Sequence, residues 1–442
     1  MRRLDRVEDR EKGLALLEEL IRIAPRERRV FTTQSLCFLM VGSYLVERWS
    51  LASGLRVLLE TGAKKLLGSC KRVRNGEHSR NTSGLSQARS KLMLEPLREI
   101  LSELVRRLTG RGETWHGRVV KTLDGSGELL LPREELRLAY PPTSNQFGES
   151  AYPMMMLTVC HDTLSGVLED YEVGPLNGEK QENELQQSLQ IMSRMERGSV
   201  VMADRAHGIL KMVRHAKNEG LDVVYRLTDE RAKKVLNGSI VPGIDRIVEW
   251  SPSKAELKKY PEWNEGERVK GRIISRRIVK SNKEFLLVLF TTLGKEEYPA
   301  DEIVELYARR WEIEGEIRDL KKTIGLSEIS AHTSAMIEKE VVAAMIAYNI
   351  VRAVILAAAE RYGIEDPKQV SFKNAYEIVR DTTWRLLEAG SQTERQRLID
   401  SALDWIAARI NKPRPGRSYP RTAYKVPATY PSKKRQLDGS WT

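Results

Sequence analysis

Three acidic side chains stand where the sequence pattern leaves room for chemistry. Asp124 ends a predicted strand in VVKTLDG, Asp204 follows the apolar run VVMA, and Glu314 lies in the helical pattern WEIEGEIRDL. Side chains at strand ends project from a sheet edge where loops leave space for a ligand. Carboxylate oxygens suit a hard cation such as Mg²⁺, whereas Cys or His would suit it poorly. We therefore treat these acids as candidate metal ligands.

Each acid also has a purely structural interpretation. An Asp-Gly pair after a strand, as at Asp124, is more often turn chemistry. Asp204 is harder to explain in this way. The apolar run before it predicts a buried central strand, and a charged side chain at the end of such a strand is unexpected without a specific role. Arg310 and Glu314 are four residues apart, a spacing that commonly stabilises a helix surface. From the residues alone, both interpretations stay open.

Residues 301–325 predict a helix with two distinct faces. At about 100° per residue, a polar stripe and an apolar stripe each occupy an arc of about 60° and lie side by side. The polar stripe therefore flanks the buried face, whereas a merely solvated face would usually lie opposite it. The polar residues are Tyr307, Arg310, Glu314 and Lys321, and the apolar residues are Leu306, Ile313, Ile317, Leu320 and Ile324.

Composition excludes several classes of protein. The 442 residues suggest about three domains. A hydrophobic share of 41% with 30% charged residues excludes a collagen, a low-complexity polymer and an intrinsically disordered chain. No apolar stretch approaches the roughly 18 residues of a membrane span, and the first residues have no apolar signal core. We therefore expect a cytosolic protein with no membrane partner.

The charge and the cysteines narrow the class further. A net charge of +12 predicts a polyanionic partner, most simply nucleic acid. Cys37, Cys70 and Cys160 lie far apart without a CxxC pair, so neither a disulfide framework nor a zinc cluster is indicated.

Apolar periodicity divides the chain into segments. Residues 1–115 predict a helical domain, in which the basic connection KKLLGSCKRVRNGEHSRNTSG is either a solvated loop or a phosphate contact before a helix that begins near Ser83. Residues 116–228 give the order β-β-β-α-β-α-β, which predicts an α/β core with a mixed sheet flanked by helices. Residues 229–300 contain three more strand patterns and predict an inserted β subdomain.

The last two segments return to helical patterns. Residues 301–365 predict the second part of the core, including an apolar helix interrupted by Asn349 and Arg352. Residues 366–442 predict a C-terminal helical region and a basic tail, which has eight Lys or Arg residues between Lys412 and Arg435 and no acid. This tail is either a disordered solvated segment or an extended arm along a nucleic-acid backbone.

A resemblance to a known family rests on the spacing Y-x2-R-x3-E-x6-K of the polar stripe. It resembles the YREK signature of bacterial insertion-sequence DDE transposases, those of insertion-sequence family four. LDGSG resembles the family's first Asp motif, VMADRAHG its second, and RRWEIEGEIRDLKK with AYNIVR its third block. The tail GRSYPRTAYK is similar to the family's basic C-terminal stretch. The resemblance covers about residues 118–430, and before that only SGLSQARSKL is familiar.

The resemblance implies an RNase H-like catalytic core with a β-rich insertion. Asp124 would lie on the first strand, Asp204 on the fourth, and Glu314 on the helix after the insertion. The three carboxylates would hold two divalent cations, usually Mg²⁺ with Mn²⁺ as a substitute, which cut DNA at the element ends and join them to target DNA. Phosphodiester chemistry independently favours two cations about 3.5–4 Å apart, since one activates the attacking oxygen and the other relieves the leaving oxygen.

The basic and aromatic residues around the acids would contact DNA. Arg310 and Lys321 would bind backbone phosphates, Tyr307 would donate its hydroxyl to a phosphate oxygen, and Arg205 would act likewise. His207 is interpreted as packing at a helix start or as a DNA contact rather than as a metal ligand.

One feature departs from some relatives, which release the element through a DNA hairpin and stack a flipped base on a Trp just before the signature helix. Here the comparable strand EFLLVLFTTL offers Phe285 and Phe290 but no Trp, and Trp250 and Trp263 lie earlier. Any of these four rings could stack a base, so the excision route stays open.

The sequence therefore predicts a bacterial or archaeal DNA transposase of the cut-and-paste type, in the cytoplasm and associated with the nucleoid. It would act on double-stranded element ends and target DNA as a homodimer or higher assembly, because cutting two ends in concert requires two active sites. Two alternatives stay open. One is a stand-alone RNase H-like, Mg²⁺-dependent nuclease, and the other is a catalytically silent DNA-binding regulator derived from a transposase, against which the three intact acids argue.

Overall fold

A nine-stranded mixed sheet runs through the protein in the computed structural model, which describes residues 29–46, 50–77, 79–109, 114–145, 148–280 and 283–411. In chain order the strands are β1 Val120–Leu129, β2 Pro142–Asn145, β3 Gly148–Asp162, β4 Leu168–Pro175, β5 Val200–Ala203, β6 Asp222–Arg226, β7 Asp245–Trp250, β8 Val269–Lys280 and β9 Lys283–Thr291. Their order across the sheet is β2-β3-β1-β5-β6-β9-β8-β7, and β4 also pairs with β3. The β1–β5 and β5–β6 pairs are parallel, and the other pairs are antiparallel. The predicted mixed α/β class is confirmed.

Helices precede the sheet, connect its strands and follow it. The α-helices are α1 Thr33–Leu45, α2 Leu51–Glu60, α3 Lys71–Arg74, α4 Ser83–Lys91, α5 Glu95–Thr109, α6 Glu134–Ala139, α7 Glu184–Met192, α8 Leu210–Asn218, α9 Asp229–Leu236, α10 Lys254–Lys259, α11 Ala300–Ala308, α12 Glu312–Arg318, α13 Ser334–Tyr362, α14 Phe372–Glu388 and α15 Gln392–Ala407. Short 3₁₀ turns occupy Gly62–Leu66, Arg309–Trp311, Leu326–Glu328 and Pro367–Gln369, and Asp319–Thr323 is a π-helical turn.

The helical character predicted for the N-terminal segment is confirmed where the structure describes it, and α4 begins at Ser83 as predicted. The predicted helical run at 14–23 and the basic tail from Lys412 lie outside the described residues. Two short elements between β1 and β3, α6 and β2, were not predicted. With six and four residues, they are too short to show a clear period.

Alternate residues of β5 pack against two different helix layers. Val201 and Ala203 join an apolar cluster with residues of α7 and α8, whereas Val200 and Met202 join a cluster with residues of α11. Because β5 has a parallel neighbour on each side and helices on both faces, its sequence is apolar throughout. The layers around β5 are therefore helix, sheet and helix.

A third apolar cluster surrounds α13, which contacts α1, α5, α14 and α15. By length and composition this helix could cross a membrane, but 94% of its most apolar 18-residue window is buried inside the molecule. Its apolar character is explained by its place at the centre of this core.

The three strands predicted for the insertion, β7, β8 and β9, are confirmed. They do not form a separate sheet, because β9 pairs antiparallel with β6, with Val224 opposite Thr291. The insertion therefore continues the central sheet. The segment boundaries at 115, 228, 300 and 365 stay predictions.

Asn349 connects α13 to the start of β4. Its Oδ1 accepts the Leu168 N–H at 3.0 Å, and its Nδ2 donates to the Leu168 carbonyl at 2.7 Å, all inside the core. We expect Asn349→Ala to lower the free energy of unfolding by about 2–4 kcal/mol, because both backbone groups of Leu168 stay buried without partners.

Urea denaturation followed by circular dichroism measures this loss. Asn264→Ala removes an exposed side chain of the same type, and we expect it to change stability by less than about 0.5 kcal/mol. Equal stability of the two variants would contradict the structural role of Asn349.

Candidate active site

Two neighbouring parallel strands place Asp124 beside Asp204. Val120 pairs with Val200 and Thr122 with Met202, a constant offset of 80 residues. The same offset, continued for two residues, aligns Asp124 with Asp204 on strands about 4.8 Å apart. The Asp204 charge contributes to raising the pKa of Asp124, so the two carboxylates interact.

Asp124 lies inside β1 rather than at its end, which corrects the prediction. Residues 125–129 continue the antiparallel pairing with β3, whereas the parallel partner β5 stops at Ala203. The turn interpretation of the Asp-Gly pair is therefore wrong. Asp124 lies where β1 no longer pairs with β5, and this leaves space for a ligand beside β1.

The segment of α11 and α12 covers the same face of the sheet. Val120 and Met202 pack against α11, and residues two apart on a strand share a face, so Asp124 and Asp204 face this segment. The segment is not the single regular helix that the periodicity predicted, since a 3₁₀ turn joins α11 to α12 and a π-helical turn follows α12. The predicted apolar stripe is confirmed, with Ile317 partly buried and the other four residues buried.

Tyr307 is fully buried, so its hydroxyl does not lie at the surface as the predicted DNA contact requires. Its Oη donates to the Ala203 carbonyl at 3.3 Å, one residue before Asp204. Burial raises the pKa of Tyr307 to about 12, which keeps the hydroxyl protonated as a donor. This hydrogen bond stabilises the end of β5.

The Arg310 guanidinium links the three candidate acids. Its side chain is 8% exposed, and Nη2 lies 3.7 Å from Oε1 of Glu314, whose side chain is 64% exposed. The Arg310 charge also lowers the pKa of both Asp124 and Asp204. Among the described residues, no three acidic, His or Cys side chains are close enough to hold one ion. Glu314 is thus connected to the aspartate pair through Arg310 rather than by direct contact.

The pKa values of the two aspartates shift in opposite directions. Burial raises the pKa of Asp124, and the N–H of Gly125 and the charge of Arg310 only partly offset it. Burial acts on Asp204 in the same sense, but a hydrogen bond with His207 and the N–H of Ala206 outweigh it and lower the pKa to about 2. Asp204 is therefore the firmly ionised member of the pair.

His207 connects Asp204 to α7. Its ring is fully buried, Nδ1 lies 3.2 Å from Asp204 Oδ1, and Nε2 lies 2.9 Å from Ser188 Oγ. The packing interpretation of His207 agrees with this environment.

Lys321 contacts the far half of β1. Its Nζ lies 2.6 Å from Glu128 Oε1 and donates to Ser126 Oγ at 2.8 Å. These contacts hold the end of the α11–α12 segment against the strand that carries Asp124. Arg205, next to Asp204, is exposed.

Comparisons with known proteins support a transposase. A model described as a transposase DDE domain matches residues 134–350, which include Asp204 and Glu314 and begin after Asp124. The chain is also 22% identical over 361 residues to transposase InsG for insertion sequence element IS4 from Escherichia coli (strain K12), covering 79% of this chain and 78% of that protein. These matches show a DNA transposase that is similar to the DDE transposases of insertion-sequence family four.

The transposase also shows a distant likeness to a solved structure. This is the cryo-EM structure of the piggyBac transposase synaptic complex with hairpin DNA, at 11% identity over 99% of this chain and 88% of that chain, with a TM-score of 0.38. So low a score carries no argument about fold or mechanism.

DDE transposases depend on divalent metal ions, and the candidate acids suit such ions in their donor chemistry, although they are not close enough to share one ion as they stand. The three candidate acids offer oxygen ligands, which hard divalent cations prefer. Burial has also raised the pKa of Asp124 beside a second carboxylate, so a cation there would stabilise the charged form.

Behind α12, the transposase contains a buried ionic network that the sequence analysis missed. Glu316, 3% exposed, lies 2.6 Å from the Nζ of Lys368, which also contacts Glu312 at 2.6 Å. Burial would raise the pKa of Glu316, but the charges of Lys368 and Arg352, together with the neighbouring His161, outweigh it and lower the pKa. The network fixes α12 against β3 and the turn after α13. The one signal of this network in the sequence was Arg352, a charged residue within an otherwise apolar helical pattern.

His161 makes the stability of this region depend on pH. Burial lowers its pKa to about 4 from an ordinary 6.5, so the folded protein binds the proton less readily than the unfolded chain. The stabilisation is complete above pH 6.5 and is lost as the pH falls from 6.5 towards 4. We expect a loss of about 2 kcal/mol between pH 7.5 and pH 5 from this group.

Urea unfolding of the wild type and of His161→Leu at both pH values measures this contribution. The variant is expected to lose about 2 kcal/mol less than the wild type on acidification. His215→Leu, at a partly exposed histidine of α8, serves as the control and should retain the wild-type dependence. An unchanged pH dependence in His161→Leu would refute the assignment.

Proposed function

We propose that this DNA transposase cuts and joins its element ends at one active site formed by Asp124, Asp204 and Glu314. The observation that carries the proposal is the β1–β5 register, which aligns the two aspartates on the face covered by the segment that carries Glu314. Arg310 lies 3.7 Å from Glu314, and its charge lowers the pKa of both aspartates, so one guanidinium interacts with all three acids.

We further propose an RNase H-like core for this site. Support comes from the strand order β4-β3-β1-β5-β6, in which antiparallel strands come first and β5 and β6, connected through α8, run parallel to β1. In this proposal residues 116–228 and 301–365 form the core, residues 229–300 its insertion, residues 1–115 a DNA-binding domain, and residues 366–442 a C-terminal region with a basic tail.

The proposed cofactor is Mg²⁺, two ions for each active site, with Mn²⁺ as a substitute. When bound, the ions activate the attacking oxygen and neutralise charge on the leaving oxygen of a phosphodiester. The side chains that hold them are Asp124, Asp204 and Glu314. Among the described residues, only a 3.7 Å ion pair with Arg310 holds the exposed Glu314 carboxylate, so this carboxylate can turn towards the aspartates.

The surrounding residues position this site. Tyr307 and His207 hold the end of β5 and the Asp204 carboxylate, and Lys321 holds the signature segment against β1. We propose that Lys321 and Arg205 also contact the DNA backbone, since Arg205 is exposed beside Asp204 and Lys321 is partly exposed.

We propose that the transposase works as a homodimer or higher assembly on two element ends, in the cytoplasm and at the nucleoid. Two ends cut in concert require two active sites, and the net charge of +12 suits a large DNA contact surface. The excision route, with or without a DNA hairpin, is a separate question that gel analysis of excised ends decides.

Conservative neutral variants test the active site. We expect Asp124→Asn, Asp204→Asn and Glu314→Gln each to lower the rate of end cleavage by at least about 100-fold, because each removes a charged ligand at the reacting phosphate. Binding to end oligonucleotides, measured by fluorescence anisotropy, should stay within about threefold of the wild type, since phosphate contacts elsewhere dominate affinity.

Glu305→Gln is the matched control, because Glu305 is an exposed acid on α11, the helix that precedes α12. It should cleave at the wild-type rate, and chelation of the metal should stop the wild-type enzyme. Wild-type cleavage by any variant of the trio would remove that residue from the site. With paired ends and a supercoiled target, cleavage without a joined product would indicate a nuclease instead.

A further inference from the structure

Glu184 lies against the strand that carries Asp124. It is the first residue of α7, and its side chain shares with Met156 the space left by the missing side chain of Gly125. A Cβ atom built on Gly125 would lie 2.6 Å from Cε of Met156, 2.7 Å from Cγ of Glu184 and 2.9 Å from Cδ of Glu184. A glycine at position 125 is therefore what allows the carboxylate to approach β1 next to Asp124.

The Glu184 carboxylate has an oxygen that the described part of the protein does not satisfy. Oε1 is shielded from solvent and accepts no hydrogen bond from any described residue. A buried carboxylate oxygen without a donor is unfavourable, and buried charges are normally paired or bound to metals. Burial raises the pKa of Glu184, and the charges of Asp124 and Asp204 raise it further, whereas the charge of His207 and the N–H of Gly125 lower it.

The position of Glu184 does not depend on its own carboxylate. A capping box between Asn183 and Gln186 fixes the start of α7. Gln187 accepts the Thr158 hydroxyl at 2.7 Å, and Ser188 lies 2.9 Å from His207. These contacts tie α7 to β3 and to the Asp204 loop, so the helix delivers the acid to a defined place.

We propose that Glu184 is a fourth carboxylate ligand of the divalent-metal site of Asp124 and Asp204. As they stand, these three acids are not close enough to hold one ion, so a cation would have to draw them together. An incoming cation would take the unsatisfied oxygen as a ligand and would relieve the repulsion among the three acids. Metal binding would therefore explain why this carboxylate oxygen is shielded from solvent. This inference rests on the proposed active site, and the experiment below separates the two.

Mn²⁺ binding to the full-length transposase without DNA tests the role of Glu184. Free Mn²⁺ is followed by electron paramagnetic resonance during titration, with Glu184→Gln, Asp124→Asn and the wild type compared. We expect Glu184→Gln to raise the dissociation constant at least about 10-fold, as does Asp124→Asn. Glu182→Gln is the matched control, because Glu182 belongs to the same connection but lies beside Gly174 of β4, and it should bind as the wild type does.

Stability without metal distinguishes a ligand from a structural acid. Neutralising Glu184 removes repulsion, so without metal the melting temperature of Glu184→Gln should equal or exceed that of the wild type. Saturating Mn²⁺ should raise the melting temperature of Glu184→Gln by less than it raises that of the wild type. A lower metal-free melting temperature together with wild-type Mn²⁺ affinity would overturn the proposal.

Gly125→Ala provides a second test at the same place. Its methyl group should displace the side chains of Met156 and Glu184 and weaken Mn²⁺ binding, and adding Gly125→Ala to Glu184→Gln should weaken Mn²⁺ binding little further. Fully additive effects in the double variant would contradict the coupling between Gly125 and Glu184.

If Asp124→Asn and Asp204→Asn bind Mn²⁺ as the wild type does, the proposed active site itself fails. If only Glu184→Gln does so, the fourth ligand alone is wrong.

Discussion

The parallel pairing of β1 with β5 is the constraint on which the candidate site depends. One register aligns Asp124 with Asp204, and a slip of one residue would turn one aspartate into the opposite helix layer. The register is secured by apolar residues that alternate between two separate clusters along β5. The fold thus uses ordinary core packing to hold two like charges side by side.

Two neighbouring carboxylates repel each other and need hydrogen-bond donors or positive charges beside them. The surrounding residues stabilise the two aspartates to different extents. Asp204 receives a backbone N–H and the His207 ring, which hold its pKa well below the ordinary range. Asp124 has less support, and burial dominates its pKa. Arg310 lowers the pKa of both aspartates and forms an ion pair with Glu314, so it interacts with all three acids.

Local patterns predicted much of the fold, because strands and amphipathic helices have short periods. The buried strand before Asp204, the strands of the insertion and the apolar stripe of the signature segment all followed from spacing. The position of Asp124 did not, since the length of β1 is set by its pairing with β3, a contact far away in sequence. Burial of Tyr307 and Arg310, the network around Glu316 and the approach of Glu184 to Gly125 also depend on tertiary contacts, which one sequence without relatives does not reveal.

The continuity of the sheet has a mechanical consequence. Residues 224–226 of β6 form ladder pairs with residues 289–291 of β9, so the inserted strands share a backbone hydrogen-bond network with the strand next to β5. A hinge at this junction would have to break those pairs. The β8–β9 hairpin therefore cannot swing away from β6 as a separate unit without losing backbone hydrogen bonds one strand away from β5, which leads to Asp204.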